Sequence, residues 1–262
     1  MSSVPLYIVE KCSFRYGTPE ILNDLTFNLY PGKFYGLIGP NGSGKSTLIN
    51  LLMAARQPHS GKIQFRNKII QSYKQQTLAQ HISFVPQDIN IGFDFSVYDI
   101  VLMGRHPHIP RFHKPSQKDL HIVNEVIKLL DIELVRNRPV THLSGGEKQR
   151  VVVARALAQN TEIMMLDEAT SNLDIKHTID ILRILKKRVK DSGRTIIAAI
   201  HDLNLAAAFC DELLVLNNKI LDDFGPIQTV LSAELLDEVF SVQGEVNFTG
   251  KYPRIEYDML LS

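Results

Sequence analysis

Nine consecutive residues near the start of the chain are of the types that bind phosphate groups. They are, in order, Gly39, Pro40, Asn41, Gly42, Ser43, Gly44, Lys45, Ser46 and Thr47. Glycines let a backbone wrap closely around an anion with its N–H groups inward, and a following helix adds positive partial charge. The lysine would contact the β- and γ-phosphates, and the Ser46 hydroxyl is a ligand for Mg²⁺. The pattern predicts a nucleoside triphosphate site, and a glycine-rich turn that binds nothing is the alternative.

A pair of acids further along the chain could complete such a site. Asp167 and Glu168 directly follow four apolar residues that begin at Ile163. A buried parallel strand has this pattern, and ligands bind beyond the carboxyl ends of such strands. We expect Asp167 to hold Mg²⁺ and Glu168 to activate a water for attack on the γ-phosphate. The alternative is a strand that ends in two solvated acids.

The segment Leu143-Ser144-Gly145-Gly146-Glu147 predicts a second phosphate site. Ser144 and Glu147 have the spacing of a capping box that opens a helix. The box does not explain the two glycines, each of which costs up to ~1 kcal/mol relative to alanine inside a helix. Close approach of the backbone to an anion is the reason we infer, because a helix N-terminus with bare glycines favours phosphate.

This segment, about twenty residues before the acid pair, resembles the signature motif of the ABC ATPases. Other residues resemble further motifs of that family, in the family's order. They are Tyr16 (adenine stacking), Gln87 (the Q-loop glutamine, touching Mg²⁺), residues 171–174 ending in Asp174 (the D-loop) and His201 (the switch histidine). Tyr16 could instead be a packed strand aromatic, and His201 a histidine satisfied at a strand end. Two positions depart from the pattern, since glutamine is commoner at Glu147 and proline often stands at Ala169.

The resemblance implies a mechanism in which two copies of the chain pair head to tail around two ATP molecules. Ser144, Gly145, Gly146 and Glu147 of one copy would complete the phosphate site of its twin. Lys45, Gln87 and His201 would assist Glu168 as catalytic residues, and Ser46, Gln87 and Asp167 would hold Mg²⁺. ATP closes the pair and hydrolysis reopens it.

The elements that position these residues alternate between strand and helix. The pattern predicts an α/β fold, a P-loop NTPase (RecA-like) core with a mixed or parallel sheet, an antiparallel β edge and an inserted helical subdomain. We predict one ABC ATPase domain in which 1–87 and 160–240 form the core. Residues 88–159 form the helical part with the signature motif, and 241–262 form a C-terminal extension. A strand over 34–38, a helix from Lys45 and a hairpin turning at 217–218 are among the expected elements.

Composition narrows the classes of partner. The formal net charge of the 262 residues is +1, which does not favour nucleic acid as a partner. Cys12 and Cys210 do not form a disulfide framework and are expected to be reduced core thiols. No secretory signal is visible, and no apolar run reaches the ~18–20 residues of a membrane span. If the protein works at a membrane, another chain must cross it.

Transport is the leading hypothesis for what the chain drives. The segments 101–108 (VLMGRHPH) and 230–240 are similar to the ATPases of iron-siderophore, haem and cobalamin uptake. That likeness implies a peripheral subunit on the cytoplasmic face of the cell (inner) membrane, two integral membrane permease subunits and, indirectly, a periplasmic or surface substrate-binding protein. Some of the apolar residues Phe93, Phe95, Val97 and Tyr98 are expected to line the groove that receives the permease. A non-transport ABC ATPase, for example in iron–sulfur assembly, is the alternative.

Overall fold

The computed structural model describes residues 4–87, 92–169, 173–250 and 252–258. The strands are β1 (Tyr7–Arg15), β2 (Glu20–Leu29), β3 (Phe34–Ile38), β4 (Ser60–Phe65), β5 (Lys68–Ile69), β6 (Ile82–Val85), β7 (Ile163–Asp167), β8 (Thr195–Ala199), β9 (Glu212–Asn217), β10 (Ile220–Pro226), β11 (Gly244–Asn247) and β12 (Arg254–Tyr257). The helices are α1 (Lys45–Leu52), α2 (Gln75–His81), α3 (Val97–Met103), α4 (Gln117–Leu129), α5 (Gly145–Ala158), α6 (Ile175–Ser192), α7 (Leu203–Phe209), α8 (Ile227–Val230) and α9 (Ala233–Phe240). Over these residues, no helix has both the length and the apolar character that crossing a bilayer demands.

The chain divides into two compact units. The first contains the described residues up to Tyr73 and from Lys186 onward, and the second contains Lys74–Leu185. The sequence predicts further boundaries after residues 87, 159 and 240, which separate the parts that carry different motifs. These boundaries stay predictions. The mixture of parallel and antiparallel strands with helices confirms the predicted α/β class.

Besides the β11–β12 hairpin, two larger sets of strands build the first unit. Strands β2, β1, β4 and β5 form an antiparallel sheet in that order, so β1 has a neighbour on each side. Strand β3 pairs in parallel with both β8 and β9, and β10 returns antiparallel to β9. All five residues of β3 and all five of β8 are buried. A strand that is buried on both faces has an uninterrupted apolar sequence, and β3 could therefore be predicted from the sequence.

The β9–β10 hairpin forms where it was predicted, with its turn one residue later. Asn218 and Lys219 have φ angles of 46° and 72°, and Asn217 pairs with Ile220. Two consecutive positive φ angles are the geometry of a two-residue type I′ turn. Asparagine tolerates that conformation well, and the second Asn of the predicted pair therefore supplies the first turn residue.

The second unit is mainly helical. Helices α3, α4 and α5 pack on one another through apolar residues, and β6 pairs in parallel with β7. Ser116 caps α4 in a complete capping box with Asp119. The face of α5 that carries Val151, Ala154 and Leu157 is buried.

The two cysteines are free and buried, which confirms their assignment to the core. Burial raises the pKa of Cys12 to about 11, and burial also raises the pKa of Cys210. Both thiols are therefore protonated at neutral pH.

Strands β11 and β12 form a hairpin that no local pattern in the sequence predicts. Ile255 is buried, and its backbone N–H donates to Asn204 Oδ1 at 2.8 Å. The Asn204 amide nitrogen donates in return to the carbonyl of Ile255 at 3.3 Å. The hairpin is thereby attached to α7, which begins two residues after His201.

Candidate functional site: a phosphate loop and a signature helix

The phosphate loop joins β3 to α1 in the first unit. A Cβ atom at Gly39 would lie 2.0 Å from the carbonyl oxygen of Leu216, so only glycine fits there. Gly44, the N-cap of α1, has a φ of 102°. The buried Lys45 donates from Nζ to the carbonyls of Gly39 and Pro40, at 2.9 and 3.0 Å. These two hydrogen bonds hold the Lys45 side chain against the phosphate loop.

Ser43 gives a structural test of the phosphate prediction. Its hydroxyl is buried, and no hydrogen-bond partner for it exists within the described residues. Buried hydroxyls in proteins nearly always have a partner, and a phosphate oxygen would be one. The loop therefore fits a nucleotide phosphate, because the Ser43 hydroxyl in it could donate to a phosphate oxygen.

Two predicted residues of the first unit outside the phosphate loop, Tyr16 and His201, are solvent-accessible. Tyr16 is 48% exposed, and its ring meets Phe14 edge to face with centroids 4.8 Å apart. It is not a packed core aromatic, and the Arg56 guanidinium lies over its ring, 5.6 Å from the centroid. His201 is exposed, after the buried end of β8 and before Asp202, which caps α7. The roles of Tyr16 and His201 stay predictions.

In the second unit the acid pair follows β7. Asp167 is the last residue of that strand and is buried. Glu168 has a φ of 49°, in the left-handed region, which costs a non-glycine residue about 1–2 kcal/mol. Backbone strain of this kind is concentrated at functional sites.

The structure brings Gln87 and Glu168 together. Gln87 Nε2 donates to Glu168 Oε2 at 2.7 Å, although the two residues are 81 positions apart. Because this bond uses the amide nitrogen of Gln87, the amide oxygen is still a candidate metal ligand. The ligand set predicted for Mg²⁺ is then a hydroxyl, an amide oxygen and a carboxylate, from Ser46, Gln87 and Asp167. Mg²⁺ prefers such oxygen donors, so each of the three side chains is of a suitable type, and their joint coordination stays a prediction.

The signature segment begins α5 with the predicted capping box. Glu147 N donates to Ser144 Oγ at 3.3 Å, and Glu147 Oε2 accepts from the Ser144 backbone N–H and hydroxyl at 2.9 and 2.7 Å. These hydrogen bonds lower the pKa of Glu147 below its ordinary value. The helix end is thus stable without help from its glycines.

The two glycines have little structural role within the described residues. A Cβ atom at Gly145 would meet nothing within 4 Å, and one at Gly146 would make only an ordinary contact at 3.6 Å with Leu173. Neither φ is positive. Larger residues would fit at both positions in this chain, so the packing of the chain does not require the glycines.

Asp174 lies just before α6. It accepts from the backbone N–H and from the ring Nδ1 of His177, both at 2.8 Å, and these bonds lower its pKa. Its predicted D-loop neighbours Ser171 and Asn172 lie outside the described residues.

Gln149 lies close to the candidate site but belongs to none of the motifs recognised in the sequence. This side chain is buried in α5, and its Nε2 donates to the carbonyl of Ala169, one residue beyond Glu168. The signature helix is therefore bonded to the segment that carries the acid pair. The available signal was a polar residue at three- and four-residue spacing from Val152 and Val153, on the buried face of the helix.

Comparison with known proteins agrees with these motifs. The ABC transporter family profile matches residues 22–171. The iron(3+)-hydroxamate import ATP-binding protein FhuC of Bacillus subtilis is 33% identical over 96% of this chain and 94% of its own length. The cobalamin import ATP-binding protein BtuD of Halobacterium salinarum is 36% identical over 86% of this chain, but the chain spans only 56% of that relative.

Solved structures give the same result. A metal-chelate type ABC transporter in an inward-facing conformation matches with a TM-score of 0.83 and 30% identity, over 97% of this chain and 98% of that one. A dimeric ATP-binding cassette in a post-hydrolysis state, bound to ADP and Pi, matches with a TM-score of 0.75 and 26% identity, over 84% and 98% of the two chains. The chain belongs to the ABC transporter family and is one of its ATPases.

Proposed function

We propose that two copies of this chain pair head to tail around Mg²⁺ and ATP, and that this pair powers import of a metal chelate. Ser144, Gly145 and Gly146 of one copy complete the γ-phosphate site of the other. Gly145 carries the proposal, because its Cβ position lies at the positive end of α5 and meets nothing within 4 Å among the described residues. The matching dimeric cassette supports the pairing.

The residues of the site divide the chemistry among them. Lys45 and the loop N–H groups hold the β- and γ-phosphates, and Tyr16 stacks on the base. Glu168 orients and deprotonates the attacking water, with Gln87 fixing the carboxylate through the bond described above. His201 stabilises the γ-phosphate. Mg²⁺, when bound to Ser46, Gln87 and Asp167, supplies positive charge against the developing charge of the phosphates.

The relatives support import as the process that ATP drives. The two relatives above are named for import of cobalamin and of iron(3+)-hydroxamate, and the best-matched structure named above is a metal-chelate type transporter. We therefore assign this chain to the cytoplasmic face of the membrane, bound to two permease subunits that receive cargo from a binding protein. No observation favours the iron–sulfur alternative.

The substitution Gly145→Asp tests the pairing. The side chain has room, so we expect an unchanged thermal midpoint and unchanged ATP binding by the single chain. The carboxylate would repel the partner's γ-phosphate, and ATP-dependent dimers should disappear in analytical ultracentrifugation. Gly92→Asp, at an equally open glycine whose φ is also not positive, is a matched control for an added acid. Dimers that form normally in Gly145→Asp would refute the proposal.

The substitution Glu168→Gln tests the catalytic assignment. The amide keeps the shape of the side chain but cannot take a proton from water, so hydrolysis should fall by at least 100-fold while ATP still binds. The variant should then accumulate as ATP-bound dimers. Turnover at the wild-type rate would remove Glu168 from this role.

A further inference from the structure

The turn after α3 is pressed against the C-terminal end of the signature helix α5. A Cβ atom at Gly104 would lie 2.2 Å from the carbonyl oxygen of Arg155, so the two backbones are in direct contact. His108, at the other end of the turn, is 2.7 Å from the carbonyl of Gln159 through its Nε2 atom. The segment that resembles metal-chelate ATPases is therefore a packing joint, and its histidines do not form a metal cluster with other described residues.

Arg105 occupies the centre of this joint and is only 5% exposed. Its Nε donates to Asp119 Oδ1 at 2.8 Å, and its Nη1 donates to the carbonyls of Ala158 and Gln159 at 2.7 and 3.3 Å. The last carbonyls of a helix have no intrahelical partner, and a cation there also complements the helix dipole. One side chain thus joins the end of α3, the cap of α4 and the end of α5.

Gln159 extends the joint to the strand that leads to Gln87. Its Nε2 donates to the carbonyls of Ala79 and Ile82, at 2.5 and 2.9 Å. Ile82 is the first residue of β6, and β6 ends at Val85, two positions before Gln87. The end of the signature helix is therefore bonded to both α3 and the start of the Q-loop strand.

Because α5 is long, a small tilt at its C-terminal end causes a large displacement of the signature residues at its N-terminal end. A helix of 14 residues is about 21 Å long, so a tilt of about 5° at its C-terminus displaces Ser144 by about 2 Å. Misplacement of a catalytic group by about 1 Å can lower a rate by about 100-fold. We propose that Arg105 and Gln159 are positioning residues that fix the angle of α5, so that Ser144 and Gly145 meet the nucleotide of the partner copy. This inference rests on the proposed head-to-tail pair.

Two variants of the joint provide the test. Removing Arg105 alone would leave the buried Asp119 carboxylate without its partner, so Arg105→Met is combined with Asp119→Asn to keep the volume and remove both charges. Gln159→Met is the second variant and changes no charge. Val123→Ala, a fully buried residue of α4 outside the joint, is the control for general destabilisation.

Each variant is measured in three ways. Binding of ATP to the single chain should stay within two-fold of the parent in all of them. The kcat, normalised to the fraction of chain that binds ATP, should fall at least ten-fold in both joint variants and less than two-fold in Val123→Ala. In a Glu168→Gln background, ATP-dependent dimers should need at least ten-fold more ATP when the joint is altered.

The possible results distinguish failure of the positioning role from failure of the proposed head-to-tail pair. A simple loss of stability would lower the ATP-binding fraction and leave the normalised kcat unchanged, and that result would overturn the positioning role. If Arg105→Met with Asp119→Asn fails to fold, Gln159→Met alone decides by the same readouts. If Glu168→Gln by itself forms no ATP-dependent dimers, the head-to-tail pair is wrong. If it dimerises and the joint variants dimerise equally well, only the positioning role is lost.

Discussion

The hydroxyl of Ser144 has two competing acceptors at the residue scale. It donates to Glu147 Oε2 within the chain, and the proposed function requires it to donate to a γ-phosphate of the partner copy. A hydroxyl has one proton, so it cannot serve both acceptors at once. Glu147 is also ionised at neutral pH, since the ordinary pKa of a glutamate is 4.5 and the hydrogen bonds from Ser144 lower it further. The residue that stabilises the helix end therefore opposes pairing through both its charge and its hydrogen bond.

Replacing Glu147 by glutamine should for that reason favour the closed pair. The variant removes a negative charge beside an incoming phosphate, and glutamine still accepts the Ser144 hydrogen bonds. Exposed charges of this kind contribute up to about 1 kcal/mol, so the ATP concentration for half-maximal dimerisation should fall about two- to five-fold. Sedimentation at varied ATP gives this value, and Glu125→Gln on α4 is the control. A requirement for more ATP in the variant would contradict this explanation.

At the scale of elements, the cap of α4 should make the stability of the protein depend on pH. Burial alone would raise the pKa of Asp119, but hydrogen bonds from Ser116 and Arg105 outweigh burial and hold the pKa at about 2, below the ordinary 3.8. A carboxyl with a lowered pKa stabilises the fold above its ordinary pKa and loses that effect as pH falls through the lowered value. The contribution is about 2 kcal/mol near neutral pH and should be lost between about pH 5 and pH 2.

Asp119→Asn measures this contribution directly. Urea unfolding of the parent and of the variant should give free energies that differ most near pH 6 and converge as pH approaches 2. Asp180→Asn, an exposed acid of α6, should show little difference at any pH. A gap between parent and Asp119→Asn that stays constant down to pH 2 would exclude this source of the pH dependence.

The elements also show where the sequence was informative and where it was not. Strand β3 was recognisable because burial on both faces leaves an uninterrupted apolar run, and α5 because its capping residues and apolar face agree. Strand β2 was missed because exposed polar residues interrupt its buried ones. The hairpin β11–β12 was missed for another reason, since its attachment depends on the amide of Asn204, some 50 residues earlier in the chain. Contacts of that range leave no local pattern.

The same distinction holds for the site. Motifs fixed by chemistry, such as the loop around Lys45, were recognised from the sequence. The bonds that Gln149, Gln159 and Arg105 make to backbone carbonyls were not, because a polar residue gives no sign of which distant carbonyl it will meet. The strain at Glu168 likewise requires coordinates.

For the whole molecule, coupling to a permease requires a surface that is apolar and accessible. Among the four candidates for this surface, Phe93 and Phe95 are 72% and 41% exposed, with ring centroids 6.1 Å apart. Val97 is fully buried and belongs to the core instead. An exposed aromatic pair beside the Q-loop is consistent with a docking contact, and the docking itself stays a prediction.

Glutamate at both Phe93 and Phe95 should uncouple the transporter. We expect loss of chelate uptake by at least ten-fold, while the ATPase rate of the purified chain stays within two-fold, because neither residue belongs to the nucleotide site. Leu134→Glu, at a residue that is 96% exposed, is the matched control and should transport normally. Full uptake in the double variant would remove this surface from the coupling mechanism.

The buried cysteines make the wild-type chain a convenient background for site-specific labelling. Thiol reagents require an accessible thiolate, and Cys12 and Cys210 provide neither access nor charge at neutral pH. A single cysteine introduced on the surface would therefore react alone, without first replacing the native ones. A fluorophore placed in this way on each copy would let opening and closing of the proposed pair be followed by energy transfer during turnover.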